Sequence, residues 1–259
     1  MELLILFALK TQTSLRFLGK RTVRTGKMMV KLQTLNIPEH LGDADATDQE
    51  SVYVRLRHSI MIGTIAPGTH LTMRGLADAM GLSPTPIREA VRRLSSEGAI
   101  EMLPNRRMTV PAMTLDRFEE LVALKIALEV HAAERALPYI SDIVIEQMRK
   151  LDDDMDQALI DEHIDTLTIL NQEFHRMLYQ VNPNQVSVPA IESVWLQLGP
   201  FQRQVVKRVN EFYKIDRHKE ILSALRSRNV ASLVSAIESD IREGIGRSGR
   251  RLLTSSPET

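Results

Sequence analysis

The run from Thr72 to Gly98 leaves this chain few ways to fold. Two apolar sets at helical spacing, Leu76, Ala79 and Met80, then Ile87, Ala90, Val91 and Leu94, are separated by little more than Gly81. Thr72 can cap the first helix, and Gly81 ends it in the left-handed conformation that costs glycine nothing. Ser83 can cap the second helix, and Pro84 stands at the first helical position, where its missing N–H is not needed. Two short helices joined so tightly form a helix-turn-helix. Upstream, Val54, Leu56, Ile60 and Met61 predict a helix from Ser51, stopped by Gly63 and the turn Ala66-Pro67-Gly68. Downstream, Ala99 to Leu103, the turn Pro104-Asn105-Arg106-Arg107 and Met108 to Pro111 read as strand, turn, strand: a wing with a basic tip.

Charge points the same way. The formal net charge is +0, yet between Ser51 and Val110 eight arginines face four acids. Arg88, Arg92 and Arg93 lie opposite the apolar stripe of their helix, and Thr85 is near its N-terminal end. A helix that enters a major groove needs bidentate donors for guanine edges, while hydroxyls and backbone N–H groups hold phosphates. Arg88 is therefore expected at a base edge of double-stranded DNA, with Arg74, Asn105 and Arg106 at phosphates or the minor groove. The plainer reading, a solvated basic face on an ordinary helical hairpin, leaves the glycine turn and basic wing unexplained.

The rest of the chain is long and amphipathic. Helices are expected at about 116–137, 142–160, 163–181, 186–209, 212–228 and 230–246, with Thr114 and Asp116 at the first start. Aromatic residues are 4% of a chain that is 43% hydrophobic, which suits helix bundles better than sandwiches. The expected division is a flexible extension at 1–48 with a basic patch at Lys20, Arg21, Arg24 and Lys27, a winged domain at 49–112, a helical domain at 113–247 and a disordered tail at 248–259. Met28 and Met29 are alternative starts. Leu3 to Leu9 is too short to span a bilayer and lacks a preceding basic region, so no membrane partner is expected. With no cysteine there is no disulfide, thiolate site or Cys nucleophile, and the cytoplasm is the expected compartment.

Four segments carry a specific resemblance: Gly68-Thr69-His70-Leu71, Leu76-Ala77-Asp78, Gly81 through Ala90, and Leu94-Ser95-Ser96-Glu97-Gly98. Over about sixty residues they resemble the DNA-binding domain of the GntR family. That likeness implies DNA contacts at Arg74, Ser83, Thr85, Arg88 and the wing around Asn105. The chain departs from the family at Pro84, where relatives usually have arginine, and at Arg107, where they have the wing glycine.

Leu124 through Glu129, Asn171-Gln172-Glu173-Phe174-His175 and Arg217 through Ala224 resemble the all-helical FCD domain of the FadR-like branch, with weaker sequence signal. The resemblance implies an antiparallel bundle around a ligand cavity, a homodimer, and a small organic-acid effector. Asn171 and His175 stand four apart on one helix face, a spacing that lets two side chains converge on one ion. His218 lies two helices further on, and Asp240 falls at the interval where metal-binding relatives carry their last histidine. Those relatives present an aspartate and three histidines; here the set is Asn171, His175, His218 and Asp240, suited to zinc, nickel or manganese. The other reading is a pair of hydrogen-bonded core histidines. Lys125 stands where relatives have a cavity-facing arginine, and Arg203 is a second candidate for an effector carboxylate. His131 and His163 have no such register and are expected to be surface or hydrogen-bond-satisfied histidines.

Catalysis is not expected. The chain has no paired Glu-x-x-His segments, phosphate loop, nucleophile elbow or His-Glu-x-x-His. The expectation is a mainly α protein: a winged helix-turn-helix joined to a helical sensor, a repressor released from operator DNA by a carboxylate metabolite. The competing expectation is a metal-free or effector-independent DNA-binding dimer whose helical half serves only oligomerisation.

Overall fold

The computed structural model describes residues 35, 37–38, 47–104, 107–207 and 217–255. The expected extension at 1–48 lies almost wholly outside the described residues, as do Asn105 and Arg106 of the wing tip.

Helix α1 (Asp48–Met61) starts slightly earlier than its apolar pattern predicts, because the Thr47 hydroxyl accepts from the Glu50 N–H and caps it. Helices α2 (Met73–Met80) and α3 (Pro84–Ser96) follow as expected: the Thr72 hydroxyl accepts from the Gly75 N–H, and Gly81 takes φ +67. The wing contains β2 (Glu101–Met102) and β3 (Met108–Thr109). A strand with no periodicity of its own, β1 (His70–Leu71), completes the sheet. The order is β1-β3-β2, antiparallel, with Thr109 opposite both His70 and Glu101. Val52, Leu56, Ile60, Leu76, Ile87, Leu94 and Met108 fill the core of this head.

The second half is helical: α4 (Leu115–Ala136), α5 (Asp142–Ile160), α6 (Ile164–Gln180), α7 (Val188–Val206), α8 (His218–Arg226) and α9 (Val230–Ile241). The Thr114, Ser141 and Asn229 side chains cap α4, α5 and α9. Short links make α5 and α6, and α8 and α9, packed antiparallel neighbours. The expected disordered tail from 248 is corrected: after a π-helical turn at Arg242–Gly246, helix α10 (Arg247–Ser255) docks on the bundle. Leu252 is buried there, and Arg250 pairs with Glu119 of α4 through two nitrogens at 2.5 and 2.6 Å. Among the described residues no helix is long and apolar enough to cross a membrane.

Helix α7 belongs to both cores. Trp195, Leu198 and Phe201 pack in the bundle, whereas Leu196 is buried among the residues of the winged head. On the same helix, Glu192 pairs with Arg57 of α1 at 3.3 Å, and Arg57 also reaches Glu97 at 3.4 Å. Gly199 lies so close to α1 that a β-carbon there would overlap the Met61 carbonyl. Gly199→Val should therefore destabilise the protein by about 1–3 kcal/mol through overpacking at this joint. The check is urea unfolding with limited proteolysis of the 111–114 linker; unchanged stability and cleavage would show that α7 and α1 are not in contact.

Candidate functional site

On the head, Ser83, Thr85 and Arg88 are exposed along the N-terminal half of α3. The Ser83 backbone has the extended geometry of an N-cap, but its hydroxyl makes no cap hydrogen bond, so it and the first N–H groups of α3 face outward. Arg88 has no ion-pair partner among the described residues. Its neighbours differ. Arg92 is held by Glu89 at 3.1 Å. Arg93 turns back onto α1: it pairs with Glu50 at 3.1 Å, and its guanidinium carbon stands 3.5 Å from the centre of the Tyr53 ring. The expected three-arginine face is thus corrected to two, with Arg93 holding α3 to α1. Arg55 and Arg57 are likewise internal, Arg55 donating to the Pro38 carbonyl at 2.7 Å. Arg74 is exposed, with a loose tie to Asp78 at 3.8 Å, and Arg107 is exposed beside the wing tip.

The second site lies inside the bundle. His175 from α6, His218 from α8 and Asp240 from α9 bring one ligand atom each within 4.8 Å of one another, and the two histidines are buried. Hydrogen bonds fix both imidazoles. Tyr179, one turn beyond His175, donates its hydroxyl hydrogen to Glu129 at 2.9 Å, so its oxygen accepts from His175 Nδ1 at 3.3 Å. His218 Nδ1 faces buried Asp152 at 3.1 Å, and a carboxylate can only accept. Each ring is therefore bonded through an Nδ1 proton and turns Nε2 toward the cluster, where it donates to a carboxylate when protonated and offers a lone pair to an ion when not, the arrangement in which a carboxylate or hydroxyl orients a metal-binding histidine. His175 Nε2 lies 3.4 Å from Asp240 Oδ2. Asn171 comes to His218 Nε2 through its amide nitrogen at 3.2 Å; rotating the amide by half a turn puts its oxygen there instead. All four expected ligands thus lie together. Burial pushes the Asp240 carboxyl up, but the His175 hydrogen bond and the positive charge of His175, His218 and Lys125 outweigh it and hold the group below the usual aspartate range.

The two expected effector cations are placed differently. Lys125 is close enough to act on Asp240, but its ammonium pairs with Glu129 on the next turn of α4. Arg203 is at the domain joint, paired with Asp165 and donating to the Ile62 carbonyl at 3.4 Å. That corrects its role to an interdomain tie. Of the two places expected for His131 and His163, both take the surface.

Sequence reading missed the groups behind the ligands. Glu129 is completely buried and accepts from Tyr179, from Trp195 Nε1 at 2.6 Å and from Lys125. Only its spacing from Lys125 was visible in the sequence. Asp152 sits one helix before the Asn171–His175 pair, with nothing local to mark it.

An exposed reading helix and wing, carried by a helical domain with a buried histidine and carboxylate site, define a DNA-binding transcriptional regulator. Residues 48–110 match the bacterial regulatory proteins of the gntR family, and residues 120–243 match the FCD domain. The chain belongs to the GntR family, in the group that carries an FCD effector-binding domain. It is similar to the HTH-type transcriptional regulator McbR of Escherichia coli K12, 25% identical over 67% of this chain and 80% of that protein. It also resembles the gluconate operon transcriptional repressor of Bacillus subtilis 168, 22% identical over 72% of this chain and 79% of that protein. The solved structure of E. coli McbR/YncC has the same fold, with a TM-score of 0.73 at 22% identity, covering 80% of this chain and 99% of that one. Its relatives are regulators, not enzymes, which agrees with the absence of catalytic motifs.

Proposed function

We propose that this protein is a cytoplasmic homodimeric repressor, released from operator DNA when a small carboxylate metabolite binds beside a divalent ion in the helical domain. The observation that carries the reading is the pair of imidazoles held with Nε2 toward Asp240. Around them, Asp152, Glu129 and Asp240 set three carboxylates against the single ammonium of Lys125. A buried surplus of negative charge is costly unless a cation meets it. His175, His218, Asp240 and the amide oxygen of Asn171 would hold zinc, nickel or manganese, and the ion would supply positive charge for the effector's carboxylate. Because Lys125 is already paired, the ion is the stronger anchor for that anion. The name of the gluconate operon repressor supports both the repressing sense and a sugar-acid type of effector.

The test is elemental analysis of the purified protein with a thermal-shift screen of carboxylic acids, run with and without added divalent ions. About one ion per chain is expected, falling close to zero in the His175→Ala, His218→Ala double variant. An acid at a hundredfold its dissociation constant should add about 2.7 kcal/mol, seen as a rise of roughly 5–10 °C. Metal that persists in the double variant would place the site elsewhere; no response to any acid or ion would favour a helical domain that serves only oligomerisation.

A further inference from the structure

We infer that the outer face of α4 is the surface through which two copies of this chain pair, the two helices running antiparallel. This rests on the homodimer reading above and names the surface it uses. Asp116, Glu120, Leu124, Ala127, His131 and Arg135 are all exposed, Leu124 at 48%, although α4 is a central helix whose other side is core. At 100° per residue they fall within an arc of about 100°.

Their order along the helix is self-complementary. A two-fold axis between Lys125 and Ile126 sets Asp116 against Arg135 of the partner subunit. It also sets Glu120 against His131 of the partner subunit, and Leu124 against the partner's Ala127. Because the contact is isologous, each pair occurs twice. Opposite groups thus flank an apolar centre in which a leucine meets a small residue, and helix axes can approach to about 8–10 Å. A parallel pairing would set Asp116 and Glu120 against their own copies, so the sign pattern selects the antiparallel arrangement. Beside the stripe, a groove of about 460 Å³ between α4 and Gln197 of α7 is lined by Leu121, Ala123 and Leu124. The same axis sets the partner's Leu128 at the level of Ala123, beside that groove. Lys125 and Glu129 reach the ligand cluster from the opposite side of the same helix.

The experiment is sedimentation of the full-length chain across a concentration series. Asp116→Arg alone and Arg135→Asp alone should each weaken the dimer tenfold or more. The Asp116→Arg, Arg135→Asp double variant should return to within about threefold of wild type, since the reversed pairs re-form; a merely structural defect would not be rescued. The chain has no cysteine, so Leu124→Cys should give a covalent dimer with a short bis-maleimide, while Ile160→Cys, 74% exposed at the end of α5, should not. A dimer indifferent to the single reversals and not cross-linked at Leu124→Cys would overturn this surface and leave the homodimer standing. A wild-type chain that is monomeric at every concentration would overturn the homodimer itself, and this surface with it.

Discussion

Glu129→Leu should destabilise the helical domain by about 3–5 kcal/mol, a large share of what holds an ordinary domain folded. Glu129 is fully buried, and three donors end on its carboxylate: the Tyr179 hydroxyl, the Trp195 indole N–H and the Lys125 ammonium. Leucine fills much of the space but removes the acceptor that the Tyr179 hydroxyl, the Trp195 indole N–H and the largely buried Lys125 ammonium share. The loss should be non-additive. In Lys125→Met, Glu129→Leu the charge is removed with its partner, and replacing a buried pair by apolar groups is often close to neutral, so the double variant should recover most of the stability. Urea unfolding followed by tryptophan fluorescence is the direct measurement, because Trp195 is the only tryptophan of the chain and stands in the network itself. A single-variant loss below about 1 kcal/mol would mean that the carboxylate does not gather these three donors.

The same network ties the ligand cluster to the head. From His175 the contacts run through Tyr179 and Glu129 to Trp195, and the residue after Trp195 is Leu196, buried in the winged core. His175 Nε2 and Asp240 would hold the proposed ion, and the other nitrogen of that ring is bonded into this chain of contacts. Glu192, Trp195 and Leu196 lie within one stretch of α7, so a change in the placement of that stretch would be shared by Trp195, Leu196 and the Glu192–Arg57 pair. In the proposed sensor this would act as a coupling through a difference in effector affinity between two placements of α7, since a ligand shifts an equilibrium only by its differential affinity.

Most of the head was legible in the sequence because its signals are local. Thr72, Gly81 and Pro84 act on their own turns, and the apolar spacing of α2 and α3 needs no distant partner. Strand β1 was not legible, since two residues carry no period and His70 and Leu71 are extended only by pairing with β3. Helix α10 was hidden for a similar reason: Arg247 to Ser255 reads as polar chain, and what orders it is Leu252 against the bundle and Arg250 on Glu119, 131 positions away in sequence. That Asn171, His175, His218 and Asp240 come together was legible through spacing and family register. Asp152 and Tyr179, which decide the tautomers, are recognised only once α5 and α6 are packed. The error over Arg93 has the same source, because Glu50 and Tyr53 lie on another helix.

Arg88→Ala should abolish specific operator binding while leaving the fold intact. Among the arginines of α3, Arg92 is engaged by Glu89 and Arg93 by Glu50 and Tyr53, so Arg88 is the long donor left facing outward on the half of α3 that begins at Ser83. One bidentate contact to guanine is worth about 1–3 kcal/mol, and the proposed dimer would make it twice, which gives a loss between roughly 30-fold and 2 × 10⁴-fold. The loss should concentrate on the specific site and spare binding to unrelated DNA. Arg74→Ala offers the contrast: as a phosphate contact it should weaken all sequences alike and lower the salt slope by about one per contact. Arg93→Ala should act on stability, because its partners are on α1. Gel-shift titrations on a duplex selected by the wild-type protein, at two salt concentrations and with circular dichroism on each variant, separate the three. Unchanged affinity in Arg88→Ala would mean that α3 is not the reading helix. A uniform loss with a smaller salt slope would move Arg88 from base edge to phosphate, leaving sequence discrimination to Thr85, Ser83 and the wing.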